Sequence, residues 1–351
     1  MAFQQPLPQI LVTGTTGPLG SAVALAVARA GFPLRGTSRS KERAAAWIAK
    51  YPEVAIEWVT IEDHEKAGTY DEAVRGCSAV VHVAGPFTRM HTKGDDIMIA
   101  QTRGTQSILD ACAKETSVKR LVYTSSVAAV HDDPHLGTGQ GKVELTGCSY
   151  TEADWNPTSW EKGSASTGEH MLTTSYCAGK TLAEKLVWTF MEEQKPGFDT
   201  VVLCPATIYG KIPQAVTRLS DLDVANARLY AHLLHANETI PSDPHPSFTN
   251  VDDAADAYLK ALTWPKLSNQ RYLISSGSYS YARVFAILRK NFPKQAHRFP
   301  EIENEGLPVE PSLVTDASKA EREMGMRWTS LEETMVQTGG ALFALEETDK
   351  S

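Results

Sequence analysis

The 351-residue sequence predicts a doubly wound α/β fold, a parallel sheet with helices on both faces, carrying a smaller C-terminal lobe. Three observations lead there. Short runs rich in Val, Ile or Leu alternate with helix-period segments, a glycine-rich turn follows the first run, and the alternation fails after residue 204. Parallel strands covered on both faces read as continuous apolar runs, and their crossovers need helices. With 42% hydrophobic and 22% charged residues, the chain has enough apolar surface to offset its ordering entropy, so disorder is not expected.

Strands are expected at residues 9–13, 34–39, 55–60, 79–84, 120–125 and 200–204. Between the first two, Leu19, Ala22, Val23, Ala26, Val27 and Ala30 recur at helical spacing, and Gly31 follows as a stop. Residues 131–174, rich in Gly, Ser, Thr, Pro and Asp, read as a long loop, which inside a compact domain points to function. Beyond 204 come Pro205 and Pro213, a helix near 226–235, then Pro241, Pro244 and Pro246. A strand leading into a helix is expected over 248–262 and a short strand at 271–275. Residues 1–210 with 247–276 therefore form the nucleotide-binding domain, and 211–246 with 277–351 the lobe.

The formal net charge of −8 supplies no basic field for nucleic acid or an anionic membrane, which leaves small-molecule partners. Cys77, Cys112, Cys148, Cys177 and Cys204 show no Cys-x-x-Cys spacing, so neither a disulfide framework nor a metal site is expected. Residues 1–8 lack the basic start and apolar run of a secretion signal, and no stretch has the length of a membrane span. A cytoplasmic monomer or homodimer is expected, with the Asn237-Glu238-Thr239 sequon incidental.

The run Thr13-Gly14-Thr15-Thr16-Gly17-Pro18-Leu19-Gly20 sets three glycines three apart between a strand and a helix. In a Rossmann-type sheet, Gly14 allows the tight turn, Gly17 lets a pyrophosphate approach bare backbone, and Gly20 packs helix against strand. The helix N-terminus adds unpaired N–H donors and partial positive charge. Thr13, Thr16, Pro18 and Leu19 join the glycines as a nucleotide cradle, although the bare pattern also suits an ordinary glycine-rich turn. At the second strand's end, where an NAD-selective fold puts an acid on the ribose, the run is Gly36-Thr37-Ser38-Arg39-Ser40-Lys41-Glu42-Arg43. A guanidinium pairs well with a 2′-phosphate, so Arg39 with Arg43 or Lys41 points to NADP(H), the plainer reading being a solvated basic helix start. Asp63, after the third strand, is either an acceptor for the adenine amino group or an exposed loop acid.

Tyr176-Cys177-Ala178-Gly179-Lys180 opens an expected helix reaching about residue 193, and residues four apart share a helical face. Of the eleven tyrosines only Tyr176 has a lysine four positions on. A phenol with a pKa of about 10 is a poor acid at neutral pH, and the Lys180 ammonium is expected to bring it down. Thr124-Ser125-Ser126 closes the fifth strand, at the edge where open α/β sheets bind ligands. Ser126 is the candidate to hold a carbonyl oxygen, against the plainer reading of a serine pair that turns the chain. The chain order of glycine turn, basic strand end, Ser126 and Tyr176/Lys180 favours carbonyl reduction with a nicotinamide cofactor.

With Thr-Gly-x-x-Gly-x-x-Gly at 13–20 and Tyr-x-x-x-Lys at 176–180, the sequence resembles the extended short-chain dehydrogenase/reductases over almost its whole length. An NAD-dependent epimerase/dehydratase-like region is expected at about 10–265. Residues 121–130, 154–160 (Asp-Trp-Asn-Pro-Thr-Ser-Trp) and 176–185 are most similar to the fungal methylglyoxal and aldehyde/ketone reductases and the plant dihydroflavonol and cinnamoyl-CoA reductases. The resemblance implies a catalytic group of Ser126, Tyr176 and Lys180, hydride from NADPH, and a substrate pocket roofed by the lobe. It also implies that Ala84-Gly85-Pro86-Phe87 and Pro205-Ala206-Thr207-Ile208, with Thr124, bracket nicotinamide and substrate. Phe87, His131, Thr207 and Tyr209 are pocket candidates and as readily packing or exposed loop residues.

Two departures from the family pattern stand out. Pro18-Leu19 replaces an aromatic or aliphatic pair, which a first helical turn tolerates. The 131–174 segment lengthens the Ser126-to-Tyr176 spacing and leaves substrate choice open; its His131, His135 and His170 show no metal-ligand spacing. The same Tyr and Lys would serve a sugar-nucleotide epimerase/dehydratase or a hydroxysteroid dehydrogenase. They count against a non-catalytic NADP-sensing regulator.

Overall fold

The computed structural model describes residues 7–85, 93–131, 148–167, 171–236, 238, 240–241, 246–302 and 313–349. Seven strands form a parallel sheet: β1 (Ile10–Thr13), β2 (Leu34–Ser38), β3 (Ile56–Thr60), β4 (Ala79–His82), β5 (Arg120–Thr124), β6 (Asp199–Pro205) and β7 (Gln270–Ile274). Their spatial order is 3-2-1-4-5-6-7. The order reverses between β1 and β4, where Ile10 pairs with Ala79 and Thr13 with His82. Such a reversal opens a crevice above the C-terminal strand ends, where open α/β sheets take their ligands.

Strand alternation sorts the side chains onto two faces. Val12, Val81, Val122 and Leu203 pack on one face with Val23 and Val27 of α1 (Pro18–Arg29), Trp47 of α2 (Lys41–Lys50) and Ala254, Ala257 and Tyr258 of a helix over Val251–Thr263. On the other, Leu11, Val80, Leu121 and Val202 meet Ile108 and Leu109 of α3 (Gly94–Lys114) and Val187 and Phe190 of α4 (Met171–Gln194). Each fully buried aliphatic side chain contributes about 1.5–3 kcal/mol. A one-residue register slip would move every one to the wrong face, so this double burial fixes the register.

The lobe is built around aromatic side chains. Tyr209, Phe248, Tyr279, Tyr281, Phe285, Phe299 and Phe343 are buried between helices Val224–Leu234, Tyr281–Asn291 and Leu331–Asp349. A small sheet of Thr207–Tyr209, Ser247–Asn250 and Gly277–Ser278 joins the lobe to the main sheet's C-terminal edge. Among the described residues no helix is long and apolar enough to cross a membrane.

Three expectations change. Residues 131–174 are not all loop: Cys148–Tyr150 pairs in parallel with Leu313–Thr315, and Trp160–Ala165 is helical. The helix carrying Tyr176 begins at Met171, five residues before it; Thr173, Thr174 and Ser175 are poor helix formers that hide its first turn. Residues 318–326 belong with the nucleotide half rather than the lobe, because Ala320, Met324 and Met326 pack beside Tyr272 of β7. His135 and His170 lie outside the described residues.

Two glycines of the turn are demanded by the fold. Gly14 has a φ of +66°, and a Cβ there would come within 3.0 Å of the Ala84 backbone. A Cβ on Gly20 would collide with the Gly14 carbonyl oxygen, whereas one on Gly17 meets only that oxygen at 3.4 Å, an ordinary contact. Gly20→Ala is expected to cost about 1–3 kcal/mol of stability, read as a lower urea midpoint. Gly17→Ala should stay within about 0.5 kcal/mol; equal midpoint losses would contradict this division between packing and ligand.

Candidate active site

The cradle is tied down from three sides. Thr13 is fully buried, and its Oγ1 accepts from the N–H groups of Val83 (3.1 Å) and Ala84 (3.0 Å) while lying 3.0 Å from His82 Nδ1. The Thr13 hydroxyl thus fastens the chain after β4 to the glycine turn and is spent on that task. Gly14 N–H donates to Thr37 Oγ1 (3.0 Å) and Thr15 N–H to Thr37 O (3.1 Å), binding the turn to β2. Ser21 Oγ donates to Thr15 O (2.8 Å) and receives Trp47 Nε1 (3.1 Å), which bolts α2 to α1. Helix α1 starts at Pro18 with no side-chain cap and no acid in its first turn. Its first N–H groups have no intrahelical partner and Gly17 presents no Cβ, a combination that fits a dinucleotide pyrophosphate.

Arg39 and Arg43 are both exposed at the end of β2, where Ser40 caps α2 by accepting from Arg43 N–H. Burial lowers the Arg43 pKa, and the nearby charge of Arg39 adds to the effect, so the two guanidinium groups share one field. A phosphate dianion would relieve that repulsion. Asp63 caps a turn after β3 through Glu65 N–H (2.9 Å), leaving Oδ2 without a partner among the described residues.

Ser125 and Ser126 divide their tasks. Ser125 is buried and its hydroxyl donates to Glu184 (2.5 Å), whereas Ser126 is partly exposed and hydrogen-bonds Tyr176. Ser126 Oγ also accepts from Ala128 N–H (3.1 Å). Lys180 Nζ donates to Thr124 O (3.2 Å) and lies 5.9 Å from the centre of the Tyr176 ring. A Cβ on Gly85 would sit 3.7 Å from that Nζ. The glycine turn, Ala84, Gly85, Lys180, Tyr176 and Ser126 therefore form one continuous surface at the strand reversal.

The model of the NAD dependent epimerase/dehydratase family matches residues 10–275. The chain belongs to that family. The match runs past the expected end at 265. Among curated relatives, an uncharacterized oxidoreductase of Schizosaccharomyces pombe is 31% identical, covering 97% of this chain and 98% of its own. A ketoreductase of Aspergillus fumigatus is 30% identical over 93% and 95% of the two chains. In fold, the chain is similar to yeast methylglyoxal/isovaleraldehyde reductase complexed with NADPH, at a TM-score of 0.85, 23% identity and 97% and 99% coverage. This is an oxidoreductase of the extended short-chain class.

In this family member, several side chains that the sequence reading passed over hold the site. Glu184, one turn beyond Lys180, is fully buried and accepts from Arg271 Nε at 2.6 Å. Arg271 donates in turn to the carbonyls of Glu152 (2.9 Å) and Asp154 (2.6 Å) and lies 3.9 Å over the Trp155 ring. Tyr258 donates to Thr124 Oγ1 (2.9 Å), behind the carbonyl that holds Lys180. His82 is kept neutral, its pKa pushed down to about 3 by burial and then by the Lys180 charge. Only Glu184 left a sequence signal, four positions after Lys180; the others depend on contacts between distant segments.

Two pocket candidates are corrected. His131 is wholly buried, with Nε2 3.0 Å from Thr315 Oγ1 and its carbonyl receiving Asn156 Nδ2 (2.5 Å). Tyr209 is 1% exposed and packs edge-on against Tyr279 at 5.8 Å. Neither side chain has surface to offer a substrate. Thr207 and Ile208 are partly exposed beyond β6, while Pro205 is buried in register with Ile274 of β7. Phe87 lies outside the described residues.

The expected acidification of Tyr176 is also corrected. Burial raises its pKa to about 12, opposed by the Ser126 hydrogen bond, and burial lowers Lys180 to about 8. Desolvation of the phenol outweighs a lysine that is itself close to neutrality. The Lys180 ammonium is present below pH 8 and lost above it. Turnover that needs this cation should be level below that pH and fall as pH rises through about 8; a rate still rising between pH 8 and 10 would contradict the assignment.

Proposed function

We propose that this protein reduces an aldehyde or ketone of moderate size to the alcohol with NADPH, reversibly, through Ser126, Tyr176 and Lys180. One observation carries the reading: Lys180 Nζ lies 5.9 Å from the ring of Tyr176, which hydrogen-bonds Ser126, and 3.7 Å from where a Cβ on Gly85 would sit, next to the Ala84 that the glycine turn touches. The hydride for the carbonyl carbon would come from NADPH held by the glycine turn and Lys180. Ser126 and Tyr176 hydroxyls hold the carbonyl oxygen, and as negative charge gathers there, Tyr176 gives that oxygen its proton. A phenol with a pKa of about 12 stays protonated at neutral pH yet is far more acidic than an alcohol, so donation to an alkoxide is downhill.

Lys180, fixed on Thr124 O, supplies a positive charge beside the phenolate that donation leaves, and it would hydrogen-bond the nicotinamide ribose. Arg39 and Arg43 favour the 2′-phosphate of NADPH over the bare hydroxyl of NADH. Asp63 takes the adenine edge, and Thr207 borders the substrate. The names of the ketoreductase and the methylglyoxal/isovaleraldehyde reductase support a carbonyl as the reacting group.

Tyr176→Phe should lower kcat by about 10²–10⁴-fold while NADPH affinity, measured by fluorescence titration, stays within about twofold. Undiminished turnover would reject the mechanism. Arg39→Ala should weaken NADPH by roughly tenfold to a hundredfold and leave NADH unchanged. Equal losses for the two nucleotides would reject the 2′-phosphate assignment.

A further inference from the structure

Helix α2 reaches the lobe as well as the nucleotide cradle. Its last residue, Lys50, donates from Nζ to the carbonyls of Ile212 and Gln214, each at 2.9 Å. The next residue, Tyr51, donates from its hydroxyl to the carbonyl between them, Pro213 O, at 2.7 Å. Two side chains of the nucleotide half thus hold three consecutive carbonyls of the segment that leaves Thr207–Tyr209 for the lobe. Residues 211–223 have no regular structure beyond a single turn at Leu219–Asp221, and the clasp joins the Lys211–Asp252 ion pair, the Leu219 N–H bond to Asp349 and the packing of Ile212 and Leu222 on the lobe core in fixing them.

The clasp is firmly rooted at both ends. Tyr51 packs against the buried Trp47 at 4.9 Å, and Trp47 is bolted to α1 through Ser21. On the lobe side, Gln214 Nε2 donates to Asp223 (3.2 Å), which caps helix Val224–Leu234 through the N–H groups of Ala225 and Asn226. Asp221, further along the same segment, acts electrostatically on Arg43 in the first turn of α2. The segment therefore runs beside α2 from its last residue back to its first turn.

We propose that Lys50 and Tyr51 are positioning residues for the carbonyl substrate: their three hydrogen bonds set the 212–214 segment, and through Asp223 the lobe helix behind it, against the catalytic edge of the sheet. This rests on the reductase reading above. The clasp acts on substrate fit, not on chemistry or on nucleotide binding.

The decisive variants are Lys50→Met, which keeps the stem, and Tyr51→Phe, which deletes one oxygen and should fold even if the first does not. Losing such hydrogen bonds should raise the KM for an aldehyde or ketone by about threefold to tenfold. The kcat and the NADPH Kd should stay within about twofold, and amide exchange should quicken in 211–223 but not in β1 or α1. An unmoved KM would overturn the proposal, as would an NADPH Kd rising in step with KM. So would a lowered Tm without faster exchange in 211–223. Failure of the reductase reading looks different: the unaltered protein would then turn over no carbonyl, while the exchange measurement, which needs no substrate, would still report on the clasp.

Discussion

Glu184 and Arg271 form an ion pair with side chains 0% and 7% exposed, and the elements around the candidate site are joined through it. Removing one partner of a buried pair strands the other charge at a cost of about 3–5 kcal/mol, so such a pair persists only when fully hydrogen-bonded. Here it is. Glu184 also accepts from Ser125 (2.5 Å) and Trp188 (3.2 Å), while Arg271 Nη2 donates to Glu184 (3.1 Å) and Ala129 O (3.5 Å) and its Nη1 to the carbonyls of residues 152 and 154. Four chain segments far apart in sequence thereby acquire one geometry: the end of β5, helix α4, strand β7 and the segment carrying Trp155.

The proposed chemistry follows from where that pair pins α4. Tyr176 and Lys180 lie two turns and one turn before Glu184, on the same helical face, and so meet Ser126 next to the pinned Ser125. The surroundings that make the arrangement rigid also make it dry. Desolvation pushes the phenol up and the ammonium down, widening the gap between the two protonation equilibria. A phenol that keeps its proton until an alkoxide develops suits an acid acting late. The neutral His82 and the fully committed Thr13 hold the adjoining chain at Ala84 without adding charge to the cleft.

Nucleotide half and lobe are joined by more than the chain that passes between them. Trp47 and Ser21 lock α2 to α1 and thus to the glycine turn, and Lys50 and Tyr51 extend the same helix to the lobe. One element consequently touches the proposed 2′-phosphate site at its start and the lobe at its end. Residues 318–326 return to β7, adding a second link that composition alone did not reveal.

The sequence by itself determined the strands, the glycine turn, the basic end of β2 and the Tyr176–Lys180 pair, because each is local: apolar runs, fixed glycine spacing and a four-residue helical repeat operate within one or two turns of chain. It named Ser126 as the candidate, and the structure adds that a carboxylate claims Ser125 while Ser126 stays partly exposed and bonded to Tyr176. Tertiary structure alone showed that His131 and Tyr209 are buried in packing, that the segment before Tyr176 is helical, and which contacts Arg271, His82, Tyr258, Lys50 and Tyr51 make. Burial, desolvation and hydrogen bonds between residues tens to more than a hundred and fifty positions apart depend on which surfaces meet, and no local pattern records that meeting.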